Sequence, residues 1–143
     1  MNRARFMKPA RLIPLLMIIL FASCDHEPNY VLYTNVVIPI DDRIVPETGQ
    51  VGTPVTIHAE ASEDNGCWSN INFRFEQKDD REYELWAAAD FESTGVCPAV
   101  IVSADTTVSF TPSRTGDHVI KVWMSSTYYE RDTIVVNEAT DAR

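Results

Sequence analysis

Few side chains in this chain could do acid–base, nucleophilic or metal chemistry. There are three histidines, His26, His58 and His118, and three cysteines, Cys24, Cys67 and Cys97. The sequence has no His-x-x-x-His, no Gly-x-Ser-x-Gly and no glycine loop able to cradle a phosphate. The 21 acidic residues could supply a carboxylate pair. Glycoside hydrolysis, however, needs two acids at a fixed gap across a cleft, which a small domain rarely offers. Glu63-Asp64-Asn65-Gly66 gathers oxygen ligands of the kind calcium takes. The same residue types favour turns for backbone reasons. The chain therefore reads as non-enzymatic, with no metal and no cofactor.

The elements that must position these residues are strands. No segment keeps a 3.6-residue apolar period, and alternation with turn residues dominates. The first run covers residues 30–40 and ends at Pro39 and Asp41-Asp42. Gly49, Gly52 and Pro54 mark a loop. Val55, Ile57 and Ala59 alternate with polar partners, and residues 62–66 form a turn. Ile71, Phe73 and Phe75 alternate next, and Lys78-Asp79-Asp80 turns the chain into the row Tyr83, Leu85, Ala87, Ala89 and Phe91. A loop over 93–103 leads to a strand over 106–110 and a turn over 112–116. His118, Ile120, Val122 and Met124 form another inward row, and a last strand covers 130–137. Seven strands result, and a buried His118 must find a hydrogen-bond partner.

Alternation also says which aromatic residues face out. If Phe73 and Phe75 point inward, Arg74 points outward. The same parity turns Trp86, Lys121 and Trp123 out. A tight turn joins the third and fourth strands, so both are expected in one sheet with the sixth. Trp86, Trp123, Arg74 and Lys121 then share one outer face, suited to stacking on a sugar ring or anchoring a partner protein. The alternative is that both indoles lie covered by neighbouring side chains. Trp68, Tyr128 and Tyr129 are a secondary candidate at one end of the domain, where Trp68 could instead cover Cys67.

The N-terminus has its own pattern. Arg3, Arg5, Lys8 and Arg11 precede the apolar run 12–21, which at half the length of a spanning helix and with Pro14 inside it reads as a secretory signal. Leu20-Phe21-Ala22-Ser23-Cys24 resembles a bacterial lipobox, with Phe21 where leucine is usual. The resemblance implies cleavage before Cys24 and its lipidation, and several acyl chains hold a protein on a membrane durably. Asp25-His26-Glu27 resembles a surface-export signal of lipoproteins in some Gram-negative bacteria, which implies the outer membrane. In other bacteria an Asp after the cysteine implies inner-membrane retention. Losing residues 1–23 removes four basic residues and shifts the net charge from −9 to −13. So acidic a surface disfavours nucleic acid.

With Cys24 lipidated, Cys67 and Cys97 remain as a pair in an oxidising compartment. A disulfide is the expectation, and its loop of about 30 residues makes it worth roughly 3–4 kcal/mol. Phe110-Thr-Pro-Ser-Arg-Thr-Gly116-Asp-His118-Val-Ile120-Lys-Val122 resembles a stretch of bacterial Ig-like and PKD-like domains. Gly52-Thr-Pro-Val-Thr-Ile57 resembles their entry to the second strand. The resemblance implies an all-β, seven-stranded immunoglobulin-like sandwich. His118 stands where those domains usually place a corner tyrosine. In that topology Cys67 and Cys97 fall at one end. The first strand starts there too, about six residues or roughly 20 Å from Cys24. That stapled end should lean toward the membrane, with the opposite turns pointing away.

The expected layout is a signal peptide over 1–23, an acidic tether over 24–29, the sandwich over 30–138 and a polar tail over 139–143. Asp105-Thr106-Thr107 and Asp132-Thr133-Ile134 resemble an O-glycosylation sequon of exported bacterial proteins, which implies Thr106 and Thr133 as acceptors. The function expected is a non-enzymatic envelope lipoprotein, held to the membrane by its lipid, that acts as an accessory or protein-binding module. The alternatives are a carbohydrate-binding surface lipoprotein and a small inhibitor or immunity-type protein.

Overall fold

The computed structural model describes residues 29–139. The leader, Cys24 and His26 lie outside the described residues. The described part is all-β, with nine strands in chain order: β1 Val31–Ile38, β2 Asp42–Ile44, β3 Thr48–Gln50, β4 Val55–Glu63, β5 Trp68–Asp79, β6 Glu82–Ser93, β7 Val102–Phe110, β8 Gly116–Trp123 and β9 Tyr129–Asn137. They form a six-stranded and a three-stranded sheet, the latter ordered β2-β4-β7. Inward rows from both sheets meet in one core, an arrangement compatible with an immunoglobulin-like fold.

The alternating sequences explain the core. Val55, Ile57, Ala59 and Ala61 of β4 are buried, while Thr56 and Glu60 between them are exposed. Tyr83, Leu85, Ala87 and Ala89 of β6 face them, with Ile120 and Val122 of β8 and Ile134 and Val136 of β9. Each fully buried Leu, Ile or Val contributes about 1.5–3 kcal/mol relative to exposure.

Nine strands replace the seven expected, because the segment before β4 serves both sheets. β2 pairs with β4 in the smaller sheet, while β3 lies parallel to β9 in the larger. Gly49, which reads as a loop residue, sits inside β3. A Cβ there would come 2.8 Å from Val55 Cγ2, so only glycine lets β3 approach that side chain. Arg43 of β2 then crosses between the sheets to Asp132 at 2.6 Å and Glu130 at 2.8 Å, both on β9. These ion pairs continue the inward row of Ile134 and Val136 where it turns polar, and they hold the guanidinium pKa above its ordinary value, the Asp132 hydrogen bond foremost.

β6 organises the larger sheet. β5 runs antiparallel along one edge of it. The other edge is shared: β8 lies parallel to Glu82–Leu85, and β1 antiparallel to Ala87–Ser93. The usual immunoglobulin order sets the third sandwich strand beside the sixth. Here the second arm of the β5–β6 hairpin takes that place.

Two of the three neighbours of β6 bulge at the same level, β1 between Tyr33 and Val36 and β5 between Ser69 and Asn72. Asn35 and Asn70 sit in the bulges, each with φ of 54°, a region asparagine tolerates better than most residues. One carboxylate serves both. Asp90 of β6 accepts the Asn35 backbone N–H at 2.8 Å and the Asn70 side-chain amide at 2.9 Å.

Candidate functional site

Cys67 and Cys97 are bonded, with Cα atoms 5.2 Å apart. The bridge joins the turn before β5 to the loop after β6. Strand β1 begins at the same end, where Val31 pairs with Ser93 and the Glu92 N–H donates to the Cys67 carbonyl at 2.9 Å. The opposite end gathers three turns. The Val119 N–H donates to the Arg81 carbonyl at 2.8 Å, the Gly52 N–H donates to the Pro112 carbonyl at 2.9 Å, and Arg114 pairs with Asp80 at 3.1 Å. His118 closes this end from inside. It is fully buried, and its Nε2 donates to the Arg114 carbonyl at 2.9 Å. An imidazole thus ties the turn where a corner tyrosine was the usual residue.

All four residues of the expected outer face point away from the core of the larger sheet. Arg74 and Trp86 are direct cross-strand partners on β5 and β6. Lys121 stands opposite Glu84, and Trp123 lies one rung beyond the last β6–β8 pair, Leu85 with Val122. Their surroundings differ. Lys121 donates to Glu82 at 2.5 Å and lies 5.3 Å from the Tyr129 ring centroid. The Glu82 hydrogen bond raises its pKa, against a smaller effect of desolvation. Trp123 meets Tyr129 edge-on at 5.0 Å, and its Nε1 is buried without an acceptor among the described residues. Arg131 covers the same tyrosine from 5.4 Å and donates to its hydroxyl at 3.0 Å. Lys121 and Trp123 are therefore engaged within the domain. Trp86 is half-buried, and Arg74 is exposed with Glu76 as an electrostatic neighbour.

The secondary candidate is not brought together. Trp68 packs on Phe91 at 5.0 Å, with Tyr33 6.1 Å from the same ring, at the stapled end. Tyr129 belongs to the Trp123 cluster on the outer face. β8 lines only the first half of β6 because β1 occupies the second, so the β8–β9 turn carrying Tyr128 stops short of the staple. Alternation back from Ile134 and Val136 puts Tyr129 and Arg131 outward, the signal that finds them.

The remaining candidates have ordinary settings. Asn65 donates to Asp64 at 2.8 Å and accepts the Cys67 N–H at 3.1 Å, so this acidic turn bonds to itself. No group of three or more His, Cys, Asp or Glu able to hold a metal ion occurs among the described residues. Thr133 is exposed on β9, whereas Thr106 is half-buried in the inward row of β7, opposite Ala59. Compared with known proteins, the chain matches no family model, no curated protein and no solved structure.

Proposed function

We propose that this chain is a non-enzymatic cell-envelope lipoprotein, anchored by Cys24 at the outer membrane, whose immunoglobulin-like domain binds a partner protein. The observation that carries the binding role is the Arg74–Trp86 rung. It joins an exposed guanidinium to a half-buried indole on the outer face of the larger sheet. Arg and Trp are the residue types most enriched among interface anchors, where truncation commonly loses 2 kcal/mol or more, about 30-fold in affinity. The rung lies next to an outer edge, since among the described residues β5 pairs only with β6, so a partner can approach it from the side as well as from above.

A sugar platform built from two coplanar tryptophans has less support, because Trp123 is turned against Tyr129 and its Nε1 is covered. The test is affinity capture from envelope membranes with Trp86→Ala and Arg74→Ala. Each should lower partner recovery about 30-fold while the melting temperature moves by less than about 5 °C. A melting-temperature collapse in Trp86→Ala with normal capture by Arg74→Ala would overturn the reading. Retention of the wild-type domain on a glycan array, lost in Trp86→Ala, would replace it with the carbohydrate-binding one.

A further inference from the structure

Six of the nine large apolar side chains left exposed among the described residues gather at the stapled end. Tyr30, Leu32 and Tyr33 open the chain into β1. Val96, Val100 and Ile101 lie in the loop between β6 and β7, with Val96 85% and Ile101 73% exposed. The loop is held in place. The disulfide fixes it at Cys97, and the Pro98 carbonyl accepts the Gly66 N–H at 2.8 Å and the Val100 N–H at 3.0 Å. Val96 and Ile101 therefore point outward from a braced loop. The three turns of the opposite end contribute none of the nine.

Single exposed apolar residues are ordinary on a soluble surface, but a braced cluster at one end calls for something to cover it. We infer that this end enters the interface of the bilayer, with Val96, Val100 and Ile101 reaching the acyl boundary and the rings of Tyr30 and Tyr33 at headgroup level. Two observations choose a bilayer over another occupant. The chain leaves the domain at this end, and Cys24 lies about six residues before β1, a reach of roughly 20 Å. An anchor so short keeps the apolar end near the headgroups. Tyrosine beside aliphatic residues is also the composition of membrane interfaces, where a ring buries its body and wets its hydroxyl. Glu63, Asp64 and Glu92 stand around the cluster, so the attraction is apolar and the docking favours neutral headgroups over anionic ones.

The inference rests on the lipid-anchor reading, and one sample tests the two separately. A photoreactive benzoylphenylalanine is placed at Val96, or at exposed Ser113 of the opposite end, in the full chain on native membranes, with palmitate labelling followed in parallel. The expected result is an acyl-chain adduct from position 96 and none from 113. In Val100→Asp with Ile101→Asp the adduct from position 96 should fall about tenfold. Palmitate labelling with no lipid adduct at 96, or with only a protein adduct there, overturns the docking and leaves the anchor standing. Equal lipid adducts at 96 and 113 overturn it as well. Absence of both label and adduct overturns both readings.

Discussion

The two ends of the sandwich are closed by different means. The stapled end relies on a covalent bond, and its surface is apolar around Val96 and Ile101. The far end has no covalent closure among the described residues. Backbone hydrogen bonds tie its three turns together, with an exposed Arg114–Asp80 pair outside and a buried imidazole beneath. The difference follows from loop length. The connection between β6 and β7 is the longer and must be pinned, whereas the turns at residues 52–54, 80–81 and 111–115 are short enough for local bonding to fix. An end tied by polar bonds suits water, and an end with braced apolar tips suits a surface that covers them.

Breaking the staple should have the largest effect. Cys67→Ser with Cys97→Ser removes a cross-link across 30 residues, worth roughly 3–4 kcal/mol in the chain-entropy model. Urea unfolding should show that loss. Amide exchange just before global unfolding should quicken over residues 94–101 and stay slow around Arg81 and Val119. Equal quickening at both ends would show that the staple supports the whole domain.

The far end is tested by His118→Phe. The phenyl ring is somewhat larger than the imidazole it replaces in a fully buried site, and the Arg114 carbonyl loses its donor. Removing Nδ1, which is buried without a partner among the described residues, offsets part of the loss, leaving a net cost of about 1–2 kcal/mol. Exchange should then quicken at the turn of residues 111–116, and an unchanged urea midpoint would show that water replaces the bond freely.

The smallest effect is a pH dependence near the staple. The Asn70 amide, and next the Asn35 N–H, hold the Asp90 carboxyl below its ordinary value. A depressed folded value means the stabilisation is complete above the unfolded pKa of about 3.9 and lost as pH falls through the folded one. The stability gap between wild type and Asp90→Asn, measured by urea midpoints, should therefore be constant near pH 6 and close below about pH 4. A gap that persists at low pH would mean Asp90 acts there through shape and not charge.

The sequence made some of this legible and hid the rest for physical reasons. The rows of β4 and β8 alternate because one face of each is buried, and β6 does so up to its run Ala87-Ala88-Ala89, where all three are buried, so most inward residues, His118 included, could be named in advance. The disulfide followed from cysteine number and loop placement. β2 and β3 were not legible, because three residues carry no pattern and the glycine in β3 answers to Val55, which follows in another strand. The two bulges depend on Asp90, 20 and 55 residues away in sequence, and no local signal marks that. On the outer face, parity placed Arg74, Trp86, Lys121 and Trp123 correctly. It could not show that Glu82 and Tyr129 engage the latter two, since cross-strand register sets those contacts.

The central proposal is that Cys24, acylated after cleavage, anchors this domain to a membrane. Its most direct test is the intact mass of the protein extracted from the envelope. The predicted result is a chain that starts at Cys24 and carries acyl groups there, with Cys67 and Cys97 oxidised. A chain that keeps residues 1–23, or that starts at an unmodified Cys24 and partitions with soluble protein, would contradict it.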